Sequence, residues 1–315
     1  MINKIRIGVF ACLLLASASL YAGGAGEKPS GRPLVTVSIL PHRYFVERIS
    51  AGRVDVSVLV GPGQSPHSYE PTPRQMSDLA RSGAWIRSNT DFEESLEPKV
   101  RSQMPRLLIV DGTAGVAFRK LEAHKHDEDH DEHGHDEHGH DDEDHDEAGH
   151  DDGHDSNIDR HTWLGRDSAK IFAAHVRDTL VAVDPAGRET YVANERALVA
   201  EIDATFDSLA KRLLPLKGRS VFVFHPAFGY FLDEFGLRQE AVEVGGKEPT
   251  AKALSALIAK AREEKARAIF VQAQFPVAAA KQVADSVGAK VVPLDPLDPD
   301  WMGNITKMGA ALAGQ

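Results

Sequence analysis

Cysteine is almost missing from this chain. The single one among 315 residues, Cys12, lies in an N-terminal apolar run that reads as removable. The mature chain then has no thiol, which excludes disulfides, thiolate metal ligands and a cysteine nucleophile. Long hydrophobic runs are missing too. The best candidate, residues 7–16, is too short to span a bilayer comfortably. Lys4 and Arg6 precede it and small residues follow, the pattern of a secretory signal peptide cleaved after Ala22, with Ala25 as a second option. The alternative is a membrane anchor. No lipoprotein box ends the run: Val9-Phe10-Ala11 precedes Cys12 and apolar residues continue beyond it. A large basic patch with interleaved aromatics is also missing, which speaks against a nucleic-acid partner. So are a His-Glu-x-x-His helix, a serine elbow and a phosphate-cradling glycine loop.

What is present is unevenly spread. Residues 122–155 hold seventeen acidic side chains and one basic one, Lys125. That segment carries −16 against −11 for the whole chain, so the remainder sums to +5. The acidity belongs to one segment and not to the fold. The segment is built from His, Asp, Glu and Gly, and 131–140 is a direct repeat, DEHGH-DEHGH. A period of five matches neither helix nor strand, and so few apolar side chains cannot offset the cost of ordering the backbone. It reads as a disordered loop inserted into a folded domain.

Around the insert, strand and helix patterns alternate. LVTVSI (34–39), 54–60, 84–88 and 107–110 read as strands, with helices over 44–51 and 73–81 between them. Gly61-Pro62-Gly63 is a turn. From Pro185 to Leu214 apolar residues Leu198, Ile202, Phe206, Leu209 and Leu213 recur at three- and four-residue spacing. Such a helix spans roughly 45 Å at 1.5 Å per residue, enough to connect two lobes. A second set follows: strands over 220–224, 268–272 and 291–294, and helices over 251–266, 276–287 and 301–312. The fold class is therefore α/β with parallel sheets covered on both faces. The length allows two domains with ordinary cores.

Fifteen histidines are present, ten of them between His124 and His154. The other five are His42, His67, His161, His175 and His225. Three of these sit at strand ends or in loops near a domain edge. His67 lies in GPGQSPHSYEP past the second strand, His161 in DRHTW past the insert, and His225 at the end of VFVFHPAFGYF. Ligands of open α/β sheets bind outside the carboxyl ends of strands. Neutral imidazole nitrogen suits zinc, which takes three or four protein ligands. A lone histidine is more often structural than a ligand, so the reading needs all three to converge. His42 and His175 read as structural, His175 as a solvated helix residue. In the insert, ten histidines among carboxylates must bind divalent ions at some affinity, either as a weak zinc collector or as a solvated segment with no direct role.

The chain resembles the zinc/manganese solute-binding proteins of ABC importers (cluster A-I, zinc-uptake type) over nearly all of its mature length. The segments that carry the resemblance are YFVERISAGRVDVSVLVGPGQSPHSYEPTP, the His-rich acidic insert, HTWLG, FHPAFGYF, KEPTAKAL, IFVQAQF and VVPLDPL. It implies two lobes, each a small four-stranded parallel sheet flanked by helices, joined by one long rigid backbone helix. The implied division is a signal peptide (1–22), an N-terminal lobe (33–183) with the insert (122–155), the linking helix (184–214) and a C-terminal lobe (216–315). It implies one metal held between the lobes by His67, His161 and His225. Asp295 matches a position that supplies a carboxylate in many members; water is the alternative fourth ligand, and a turn role is the alternative for Asp295. Some relatives carry an acidic residue before the first histidine, where this chain has Pro66. Manganese-selective relatives often place a carboxylate where this chain has His225, and imidazole favours zinc. The implied role is to capture Zn²⁺ in the periplasm, as a monomer, and deliver it to a permease with its ATPase. A periplasmic zinc buffer or a manganese-binding relative is the alternative, as is an adhesin role; a metallohydrolase would need a base that no motif supplies.

Overall fold

A computed structural model of the chain describes residues 31–121, 158–243, 250–272, 274 and 277–314. The signal-peptide reading, the insert over 122–155 and part of KEPTAKAL lie outside these residues. The first sheet contains β1 (Leu34–Ile39), β2 (Asp55–Val60), β3 (Ala84–Arg87) and β4 (Leu108–Asp111), all parallel, in the order β2-β1-β3-β4. The second contains β5 (Ser220–Val223), β6 (Arg238–Ala241), β7 (Ala268–Val271) and β8 (Lys290–Pro293), again parallel, in the order β6-β5-β7-β8. The two sheets therefore share one topology.

Central strand β1 shows why the strands are apolar runs. Val35, Val37 and Ile39 are fully buried on one face, and Thr36 and Ser38 are equally buried on the other. The two hydroxyls are not left bare: Thr36 pairs with the Ser82 hydroxyl at 2.7 Å, and Ser38 accepts from the Trp85 indole at 3.0 Å. The first sheet is flanked by α1 (Leu40–Ser50), α2 (Pro73–Arg81), α3 (Asp91–Gln103) and α4 (Arg166–Val183). Helix α2 starts as its sequence dictates, with Pro73 in the first turn and a reciprocal cap between Thr72 and Gln75. Helix α1 begins at Leu40, four residues before the apolar pattern suggests, because Pro41 fits a first helical turn.

Helix α5 (Arg188–Leu213) joins the two sheets' lobes, with a 3₁₀ turn at each end. Leu198, Ile202, Phe206, Leu209 and Leu213 form its buried stripe, and it packs against α1, α4 and the last helix, α9 (Trp301–Ala313). Truncating Phe206, which is 1% exposed, costs about 3–5 kcal/mol at such a site. Its start is pinned to the first lobe. Asp184 accepts from the Tyr191 hydroxyl and from Arg53 Nε at 2.9 Å. Gly187 makes room for this corner: a Cβ there would lie 2.2 Å from the Tyr191 ring and 2.6 Å from Arg53 Nε. The second lobe completes its layers with the short α6 (Gly229–Asp233), α7 (Ala251–Glu263) and α8 (Val277–Val287). Among the described residues no helix is long and apolar enough to cross a membrane.

Candidate metal centre

The carboxyl ends of β2 and β5 deliver one histidine each, and the segment that precedes α4 delivers the third. His67 sits in a 3₁₀ turn, Pro66–Ser68, whose preceding Ser65 hydroxyl accepts from the His67 amide at 3.3 Å. His225 follows β5, and the buried Gln272 at the end of β7 clamps its backbone, accepting from its N–H at 3.3 Å and donating to its carbonyl at 2.7 Å. His161 immediately precedes the turn Thr162–Leu164, and its amide donates to Asp159 Oδ1 at 3.0 Å.

These three side chains meet. Nε2 of His225 lies 3.1 Å from Nε2 of His67 and 3.2 Å from Nε2 of His161. Ligand atoms of all three fall within 4.8 Å of one another, the group among the described residues whose placement suits a metal ion. Their other ring nitrogens are each taken by a carboxylate: His67 Nδ1 by Asp91 at 2.5 Å, His161 Nδ1 by Asp159 at 2.8 Å and His225 Nδ1 by Glu243 at 2.5 Å. An ionised carboxylate can only accept, so each Nδ1 carries the proton and each Nε2 presents a lone pair to the common point. Tetrahedral ligands 2.0–2.1 Å from a central ion stand about 3.3–3.4 Å apart. The observed spacings fall just inside that.

Electrostatics favour the ligand form. Burial pushes the His225 imidazole down to about 4, against the pull of the Glu243 hydrogen bond, so the ring is neutral near pH 7. The hydrogen bond from His67 holds Asp91 below the usual carboxylate range, although partial burial opposes it. Burial would raise Asp159, but the His161 and Arg119 contacts outweigh it and hold the group low. Asp91 and Asp159, which orient His67 and His161, are therefore ionised near pH 7.

Asp295 is not in the cluster. Its Oδ1 accepts from Gln274 Nε2 and from the Leu297 amide, both at 2.9 Å, and its carbonyl accepts from Asn304. These contacts hold the turn after β8. Its neighbour is nonetheless tied to the site, because the Trp163 indole donates to the Pro296 carbonyl at 2.8 Å. His42 is buried against Ser88 and stacked on Phe172, 3.6 Å between ring centres. His175 is half-buried rather than solvated, its Nε2 2.8 Å from the Ala114 carbonyl. Asp91, Asp159 and Glu243 are the residues that sequence reasoning missed. Only Asp159 left a signal: two residues before a loop histidine, an aspartate can cap the intervening backbone.

Comparison with known proteins adds an independent line. A family described as "Zinc-uptake complex component A periplasmic" matches residues 35–313. The zinc-binding lipoprotein AdcA of Streptococcus pneumoniae is 26% identical over 291 residues, 91% of this chain but 55% of that protein. The chain thus spans about half the length of that relative. The high-affinity zinc uptake system protein ZnuA of Yersinia pestis is 28% identical over 288 residues, 90% of this chain and 88% of that one. A crystal structure of a ZnuA deletion mutant with zinc bound superposes with a TM-score of 0.75 at 30% identity, covering 90% of this chain and 97% of that one.

Proposed function

We propose that this chain, which belongs to the periplasmic zinc-uptake complex component A family, captures Zn²⁺ between its lobes and delivers it to the permease of an ABC importer driven by an ATPase. The observation that carries this reading is the convergence of three Nε2 atoms at 3.1 and 3.2 Å with every Nδ1 held by a carboxylate. Zinc accepts three imidazoles and one further oxygen. His67, His161 and His225 are the ligands, and Asp295 or a water completes the shell. Three imidazoles favour zinc over manganese, which prefers carboxylate oxygen. The family is one of uptake rather than catalysis. A leader cleaved after Ala22 and a monomeric working state in the periplasm fit the same role, with the lobes taken as 33–183 and 216–315 around the linking helix.

Chelator competition at one zinc per chain tests the site. Replacing His161 or His225 by alanine should weaken the tightest site at least 100-fold, since coordinated water would replace a positioned imidazole. Wild-type-like affinity in two of the three single histidine variants would remove the assignment. Delivery is tested by growth: deleting the gene should impair growth under zinc limitation, with rescue by added zinc.

A further inference from the structure

The described residues that flank the insert pair with each other and form its foot. Lys120 and Ile158 form an isolated antiparallel bridge, and the Asp159 amide donates to the Arg119 carbonyl at 2.9 Å. From this foot the Arg119 side chain, 13% exposed, reaches in two directions. Nη1 donates to Asp159 Oδ2 at 2.8 Å, on the carboxylate whose Oδ1 holds His161. Nε donates to Asp233 Oδ2 at 2.9 Å, on α6 of the second lobe. The Tyr230 hydroxyl closes the same loop, accepting from the Arg119 amide at 3.0 Å and donating to the Asp159 carbonyl at 2.9 Å.

The guanidinium lies over Gly229, four residues past His225. A Cβ on Gly229 would stand 1.9 Å from Arg119 Nη1 and 2.4 Å from its Cζ. Gly229 has no left-handed backbone angle that would itself require glycine. Its missing side chain is explained by the guanidinium, not by the turn. One planar cation therefore touches the carboxylate that holds His161 and the backbone that follows His225. A fork of fixed geometry makes contacts in defined directions that a flexible ammonium does not.

We propose that Arg119 is a positioning residue that sets the spacing of His161 and His225 across the two lobes, with Gly229 as the cradle that its guanidinium requires. This rests on the zinc site proposed above. It differs from it in assigning part of the affinity to residues that touch no metal.

The test uses the full chain, with zinc and Co²⁺ as probes, each at one equivalent. Arg119→Ala and Gly229→Ala should each weaken zinc at least tenfold in chelator competition. Both should also change the intensity of the visible Co²⁺ ligand-field bands, which report the angles between ligands and are blind to general stability. In the Arg119→Ala background, Gly229→Ala should add less than twofold, because the cradle then has nothing to hold. Tyr230→Phe, a milder change, should cost at least threefold, and it carries the test should Arg119→Ala fail to fold. Affinity within twofold of wild type in Arg119→Ala, or in Tyr230→Phe in that event, overturns the proposal. So does a full, additive loss from Gly229→Ala in the Arg119→Ala background. His161→Ala separates the two levels: if it leaves zinc affinity unchanged the site itself is wrong, whereas its loss beside unaffected Arg119 and Gly229 variants removes only the strut.

Discussion

In the first lobe, the side chains of His67 and its partner Asp91 stand 37% and 45% exposed; in the second, those of His225 and Glu243 stand 7% and 3% exposed. The lobes share a sheet topology, and both histidines follow a strand, yet one histidine–carboxylate pair faces solvent and the other is enclosed. An enclosed pair has neighbours that lock its rotamers, and its hydrogen bond works at low dielectric. The exposed pair can rotate at little cost and is screened by salt. In the proposed site an ion arriving from solvent would reach His67 first, with His225 and the 8%-exposed His161 as the preformed floor.

The largest effect that can break this contrast is on affinity. Removing an orienting carboxylate typically costs 10–100-fold. Glu243→Gln should weaken zinc by about 100-fold and Asp91→Asn by about 10-fold or less, at the two ends of that range. Chelator competition reads both. The reverse order would mean that exposure does not govern how firmly the rings are held.

A smaller effect concerns acid. Both lobes bury a histidine, and burial lowers both, His225 to about 4 beside a carboxylate and His42 to about 3 beside a hydroxyl. In the first lobe Ser88 also links His42 to Glu93, donating its amide to Glu93 Oε1 at 2.8 Å, and burial pushes Glu93 up to about 6. The signs oppose. His42 takes up its proton more readily when unfolded, so stability falls as pH drops from about 6.5 toward about 3. Glu93 takes up its proton more readily when folded, so its contribution is full below about 4.5 and is lost as pH rises through about 6. Between pH 4.5 and 6 the two cancel, each at up to about 1.4 kcal/mol per pH unit. Glu93→Gln leaves His42 unopposed and should lose about 1.3 kcal/mol relative to wild type on going from pH 6 to 4.5. Parallel curves of thermal midpoint against pH for the two proteins would contradict this.

The smallest expected effect is on shape. The Trp163 indole reaches the Pro296 carbonyl, and the Trp301 indole reaches the Trp163 carbonyl at 2.7 Å. These bonds and the continuous α5 link the lobes beside the site. X-ray scattering with and without zinc, on protein lacking 122–155, should give nearly equal radii of gyration. A clear compaction would mean that the lobes close on the metal like a hinge.

Most of this architecture is legible in the sequence because its strands are apolar runs and its long helix repeats at 3.6 residues. Among the elements that the sequence pattern does not mark, two resist reading for identifiable reasons. Strand β6 is Arg-Gln-Glu-Ala, polar at both buried positions: Gln239 turns its carbonyl to the Phe228 amide at 2.8 Å, and Glu240 meets Lys260 at 2.5 Å. No hydrophobic pattern marks it. Helix α3 contains Pro98, a residue that ordinarily ends a helix, and its start is written instead in a cap between Thr90 and Glu93. The three histidines stand out as isolated loop residues. Their carboxylates do not, because Asp91, Asp159 and Glu243 are three among 47 acidic residues and only folding picks them out.

The corner at Gly187 has a mechanical meaning. Helix α5 is a rod of 26 residues, about 39 Å long at 1.5 Å per residue. Tilting such a rod by 5° at one end sweeps the other through about 3.4 Å. That sweep is slightly larger than the 3.1 and 3.2 Å separations of the Nε2 atoms themselves. The clamp of Arg53, Asp184 and Tyr191 around Gly187 thus acts as the fixed end of a lever, and the angular tolerance of the second lobe is decided at a joint that carries no ligand.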